Sequence, residues 1–180
     1  LEKAVAESHY SWMEASNVLS YIYLHIQRDY TKAEKVITRL ADEFPGHPYF
    51  AYLKGELLAK TESWEELNEF LPQLEKFAQN GPFLQQHECQ LKLAYIKGIK
   101  AFKAGDYKES IKQSAWVLDN YHMEFDWLKG FAHFLRGQCH EQNGDFGLAI
   151  LDFEEVLKMD SYYLEVEEAR ERMEEIRDRR

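Results

Sequence analysis

One pattern recurs along the chain and limits the folds open to it. Phe134-Leu135-Arg136-Gly137 leads through Asn143-Gly144-Asp145-Phe146 to Ala149, Phe153 and Val156-Leu157. Ala94-Tyr95-Ile96-Lys97-Gly98 leads through Ala104-Gly105-Asp106-Tyr107 to Ser110 and Val117-Leu118. Tyr52-Leu53-Lys54-Gly55 leads through Glu62-Ser63-Trp64 to Leu67, Leu71 and Leu74. A fourth copy lacks the first glycine but keeps Asp29-Tyr30, Ala33, Ile37 and Leu40, and closes on Pro45. The period is 34 residues from Asp29 to Ser63; it stretches to 43 between Gly55 and Gly98 and to 39 between Gly98 and Gly137. Self-similarity on this scale marks a repeat array, each unit one supersecondary element.

Every copy reads as two amphipathic helices, with apolar residues at helical spacing. Phe146, Ala149, Ile150, Phe153, Val156 and Leu157 form one stripe; Ala33, Val36, Ile37 and Leu40 form another. Thr31 to Glu34, Ser63 to Glu66 and Asp106 to Glu109 have capping-box spacing, which predicts helix starts there. Gly105 and Gly144 supply the permissive backbone that follows a helix C-terminus. Gly55, Gly98 and Gly137 fall inside first helices, where glycine costs about 1 kcal/mol against alanine; a close helix crossing would account for them. A lone hairpin cannot bury its apolar face, so neighbours must stack. The stretched spacings, with Pro82 as a helix-start signal, predict long first helices over about 83–103 and 124–142. After Ser161, Val166, Ala169, Met173 and Ile176 make a stripe among charges, and Arg177, Arg179 and Arg180 suit a helix C-terminus. That segment is expected to be a helix capping the open end of the stack.

The small residue, the Gly-Asp-aromatic turn and the following Ala, Phe and Pro resemble the tetratricopeptide repeat. The resemblance is strongest over 130–163 and clear over 14–47 and 91–124. It is weakest over 48–81, which has no Gly-Asp turn and carries Pro72 in its second helix. It implies an all-α, right-handed superhelical solenoid of antiparallel helix pairs: a single domain over 1–180, about four repeats and a capping helix over 161–180. It also implies a concave groove, lined by the first helices, that holds a peptide or helix of a partner. The family's groove positions fall on Val18, Ile22 and His25; on Tyr49, Tyr52 and Glu56; on Lys92, Tyr95, Ile99, Phe102 and Lys103; and on Phe131, Phe134, Gln138 and Glu141. From these, Tyr49, Tyr52, Lys92, Tyr95, Ile99, Phe102, Phe131, Phe134 and Gln138 are the candidate peptide-groove residues. Tyrosine suits such a surface because it buries a large area and keeps a polar tip. An aromatic stripe at helical spacing is also what a packed core looks like, so both readings stand at this point. Some members clamp a C-terminal carboxylate with a Lys/Asn/Asn/Lys/Arg set. The matching positions here are Val18, Ile22, Leu53, Lys92 and Ile96, and only Lys92 fits, which argues against acidic chaperone tails as partners.

Charge narrows the partner. With 22 Lys and Arg against 32 Asp and Glu, the net charge is −10, which favours a neutral or basic protein segment and repels nucleic acid. No run of 18 apolar residues exists to insert in a membrane. No phosphate loop, nucleophile elbow or His-Glu-x-x-His helix is present, so neither enzyme activity nor a cofactor is expected. His87 with Cys89, or Cys139 and His140 with His133, are the nearest to metal ligands; His133 and His140 share a helix face, but nothing fixes a third and fourth ligand. Pairs such as Glu65-Glu66, Glu154-Glu155 and Glu174-Glu175 lie on polar faces, where nothing tunes a carboxylate for catalysis. Cys89 and Cys139 form no disulfide framework and read as buried thiols, which mildly favours the cytoplasm. The start at Leu1-Glu2-Lys3, without initiator Met or leader features, is expected of a piece of a longer or processed protein. The function expected is a non-catalytic protein-binding module. The alternative is a structural or oligomerisation scaffold whose groove is filled by its own chain or a second copy.

Overall fold

A computed structural model describes residues 12–123, 127–160 and 162–179, and among these every regular element is helical. Residues 1–11, the predicted helix start at 124–126, Ser161 and Arg180 lie outside the described residues. The chain divides into two compact units, Leu1–Cys89 and Gln90–Arg180.

In the first unit, α1 (Trp12–Tyr21) runs into a π-helical turn, Ile22–Ile26, closed by the Gln27 N–H donating to the Ile22 carbonyl at 2.8 Å. α2 (Tyr30–Glu43), α3 (Pro48–Lys60) and α4 (Trp64–Gln79) follow, each packed on the one before, and α5 (Phe83–Lys103) begins in this unit. Leu19, Tyr23, Leu24, Ala33, Ile37, Leu40, Phe50, Leu53 and Leu57 form the core, so the stripe read on α2 is its buried face. Tyr52 ties α3 to α4, its hydroxyl donating to the Leu74 carbonyl at 2.6 Å.

The second unit holds the rest of α5, then α6 (Tyr107–Asn120), α7 (Trp127–Gln142), α8 (Phe146–Val156) and α9 (Leu164–Asp178). α7 packs against α6, α8 and α9. Two of the helical glycines mark close crossings, as their spacing predicts. A Cβ on Gly98 would lie 3.1 Å from Leu135 Cδ2, and one on Gly137 only 2.7 Å from the Phe153 ring. Val166, Ala169, Met173 and Ile176 are all buried, which seats α9 by its predicted stripe. Burial of each large apolar side chain is worth roughly 1.5–3 kcal/mol, enough to hold a helix whose other faces are charged.

The turns inside the pairs share one device. The residue before each second-helix cap has positive φ: Arg28 (49°), Glu62 (60°), Gly105 (76°) and Gly144 (80°). The next N–H, of Ser63, Asp106 or Asp145, reaches back to the Leu58, Ala101 or His140 carbonyl at 2.8–2.9 Å, closing the first helix. Glycine was legible at two of these positions; the other two hold ordinary residues in the same conformation. Capping follows Asp29, whose carboxylate accepts from the Lys32 N–H at 3.1 Å, and not the expected Thr31. Asp106 caps as read, accepting from Glu109 N–H at 3.0 Å, whereas Ser63 makes no side-chain cap bond. No atom lies within 4 Å of a Cβ built on Gly144, so Gly144→Ala should cost only its backbone strain, about 1 kcal/mol in urea denaturation.

Candidate functional site

The first groove positions that the family pattern gives are Val18, exposed on α1, and Ile22 and His25 in the π-helical turn of the first unit. There His25 is fully buried, and its Nδ1 lies 3.6 Å from Glu56 Oε1 on α3. Lys60, one helical turn after Glu56, brings Nζ to 3.2 Å of the same oxygen. Groove positions of two successive first helices are thus brought together, around a carboxylate that already has cationic company. Tyr49 is half-buried nearby, and burial, with the Glu56 and Glu88 carboxylates, pushes its hydroxyl up to about 12. Tyr52 is 2% exposed and directed into the α3–α4 pair. Burial and the neighbouring Cys89 raise its pKa, so it stays a neutral donor.

In the second unit Tyr95 of α5 and Phe131 of α7 stack with ring centroids 6.3 Å apart, which joins the first helices of its two pairs. Phe131 is 1% exposed because Trp127 and Tyr163 pack edge-on against it, at 5.8 and 5.4 Å. Phe134 lies against Phe153 of α8, inside its own helix pair. Lys92, Tyr95 and Ile99 are buried; Phe102, beside Tyr107, and Gln138 are half-exposed. Glu141 accepts from Arg172 of α9 at 2.7 Å. The C-terminal segment therefore reaches two groove positions of α7, Phe131 through Tyr163 and Glu141 through Arg172.

A polar cluster that sequence reasoning missed lies between α7 and α8. Asp152 is 4% exposed and accepts from Arg136 Nε and Nη2 at 2.9 and 2.7 Å and from His133 Nδ1 at 2.8 Å. His140 Nε2 is 3.9 Å away. Burial opposes the charged carboxylate, but the His133 and Arg136 hydrogen bonds outweigh it and hold Asp152 below its ordinary value of 3.8. Arg136 is raised in return. His133 and His140 do share a face, and that face is directed at a carboxylate on the next helix. The visible signal was the spacing of three basic side chains on one face of α7; their partner was hidden because Asp152 takes a position inside an apolar stripe. Cys89 and Cys139 are buried free thiols as read, and burial pushes Cys139 up to about 11, which keeps it protonated and inert.

A family model described as Tetratricopeptide repeat matches residues 27–66 and 97–163. The chain belongs to the tetratricopeptide-repeat family. The matched stretches hold α2, α3 and the start of α4 in the first unit, and the end of α5 with α6, α7 and α8 in the second. No curated protein and no solved structure matches the chain. Tetratricopeptide repeats in general mediate protein–protein interaction and are typically non-catalytic. Among the described residues no helix is long and apolar enough to cross a membrane.

Proposed function

We propose that the four helix pairs form one repeat array, 14–47, 48–81, 91–124 and 130–163 with α9 as its cap, that binds a neutral or basic peptide or helix of another protein on its first-helix face. The observation that carries this reading is the Tyr95–Phe131 stack, which links successive first helices at positions the family uses for peptides. Half-exposed Tyr49, Phe102 and Gln138 would touch the partner. Buried Lys92, Tyr95, Ile99 and Phe131 would form the wall beneath them, whereas Tyr52 and Phe134 pack inside their own helix pairs. A second reading, in which the chain covers its own groove, is favoured at α7 by Tyr163 over Phe131 and Arg172 on Glu141.

A peptide-display selection against the wild type and a Tyr49→Ala/Phe102→Ala variant of equal helicity tests the two. A common motif enriched on the wild type alone is the expected result. Equal enrichment on both, or none, would remove the first-helix face from consideration.

A further inference from the structure

The four N-cap residues Asp29, Ser63, Asp106 and Asp145 set a common register for the second helix of each pair. Three residues after the cap stand Lys32, Glu66, Glu109 and, in α8, Leu148. Six residues after it stand Lys35, Glu69, Lys112 and Leu151. In α6 these two positions are joined as an ion pair, Lys112 to Glu109 at 3.1 Å. In α8 they are leucines, 49% and 60% exposed, while Ala149, Asp152, Phe153 and Val156 bury its other face. Three helices of one chain show that the repeat needs no apolar residue there, so core packing does not explain the two leucines. A helix that is apolar nearly all round is normally covered on all sides.

The surroundings of this strip say what kind of cover fits. Asp145 and Glu154, one turn before Leu148 and one turn after Leu151, are exposed acids at its two ends, and Glu155 is paired with Lys158. Lys158, His133 and Lys129 are the positive groups acting on Glu155. An antiparallel α8–α8 pairing of two copies would set Asp145 of one against Glu154 and Glu155 of the other, and each copy carries −10.

We propose that the outer face of α8 is a second docking surface, for a basic amphipathic helix of another protein that lays a leucine stripe on Leu148 and Leu151 and its Lys or Arg flanks on the acidic rim. This surface is separate from the first-helix face.

The probe is a synthetic amphipathic peptide with leucines at helical spacing and lysines elsewhere, beside a leucine–glutamate version. The comparison variant is Leu148→Glu/Leu151→Lys, which rebuilds the α6 ion pair and leaves net charge unchanged. Fluorescence anisotropy should show the lysine peptide binding the wild type roughly tenfold or more tighter than the variant, and the glutamate peptide binding neither. Equal binding to wild type and variant would overturn the surface, and equal binding of both peptides would overturn its charge preference. Wild-type dimerisation lost in the variant, seen by sedimentation, would replace the partner helix by a second copy. Because the first-helix face is untouched, a display-selected segment should bind the variant normally; this separates failure here from failure of the groove.

Discussion

Asp152→Ala should destabilise the second unit by about 2–3 kcal/mol in urea denaturation. Removing one member of a buried ion pair costs roughly 3–5 kcal/mol, because the remaining charge stays desolvated. Here Arg136 keeps a quarter of its side chain exposed, so water recovers part of that cost. His133 is less fortunate, since its side chain is 13% exposed and Nδ1 loses its 2.8 Å partner. The pH dependence has a definite sign. Asp152 is held below its ordinary pKa in the folded chain, so its contribution is complete above the unfolded value of 3.8 and is lost as pH falls toward the folded one. Asp152→Asn should remove that part of the acid sensitivity. A wild-type-like acid slope in Asp152→Asn would mean that the carboxylate is not what holds α8 to α7 at neutral pH.

Gly137→Val is expected to be as damaging, at about 3 kcal/mol. Its Cβ alone would meet Phe153 ring carbons at 2.7 and 2.9 Å and Asp152 Cβ at 3.2 Å. Phe153 is fully buried and cannot step aside, so α7 and α8 must separate or strain, the usual cost of overpacking. The same substitution at exposed Gly147, with no atom within 4 Å, should fall within about 1 kcal/mol of wild type, since only helix propensity changes. Equal losses at the two sites would point to propensity rather than to the crossing.

The helix pairs were legible because apolar spacing, Gly105, Gly144 and the Asp106 cap are local signals. What local signals do not carry was missed. Arg28 and Glu62 adopt the left-handed turn without glycine, so nothing in the residue type announces it. The π-helical turn has the same apolar spacing over five residues as an α-helix, which hides it. Asp152 is explained only by Arg136 and His133 on another helix. At the candidate site the family pattern offers a set of first-helix positions, and the His25–Glu56 and Tyr95–Phe131 contacts bring four of them together in pairs. What covers each residue depends on elements far along the chain, as with Tyr163 over Phe131.

Protein binding on the first-helix face is most directly tested by titrating the isotope-labelled chain with a display-selected segment and following its NMR signals. Saturable shifts centred on Tyr49, Phe102 and Gln138, with α8 undisturbed, are predicted. Shifts confined to Leu148 and Leu151, or spread over neither surface, would contradict it.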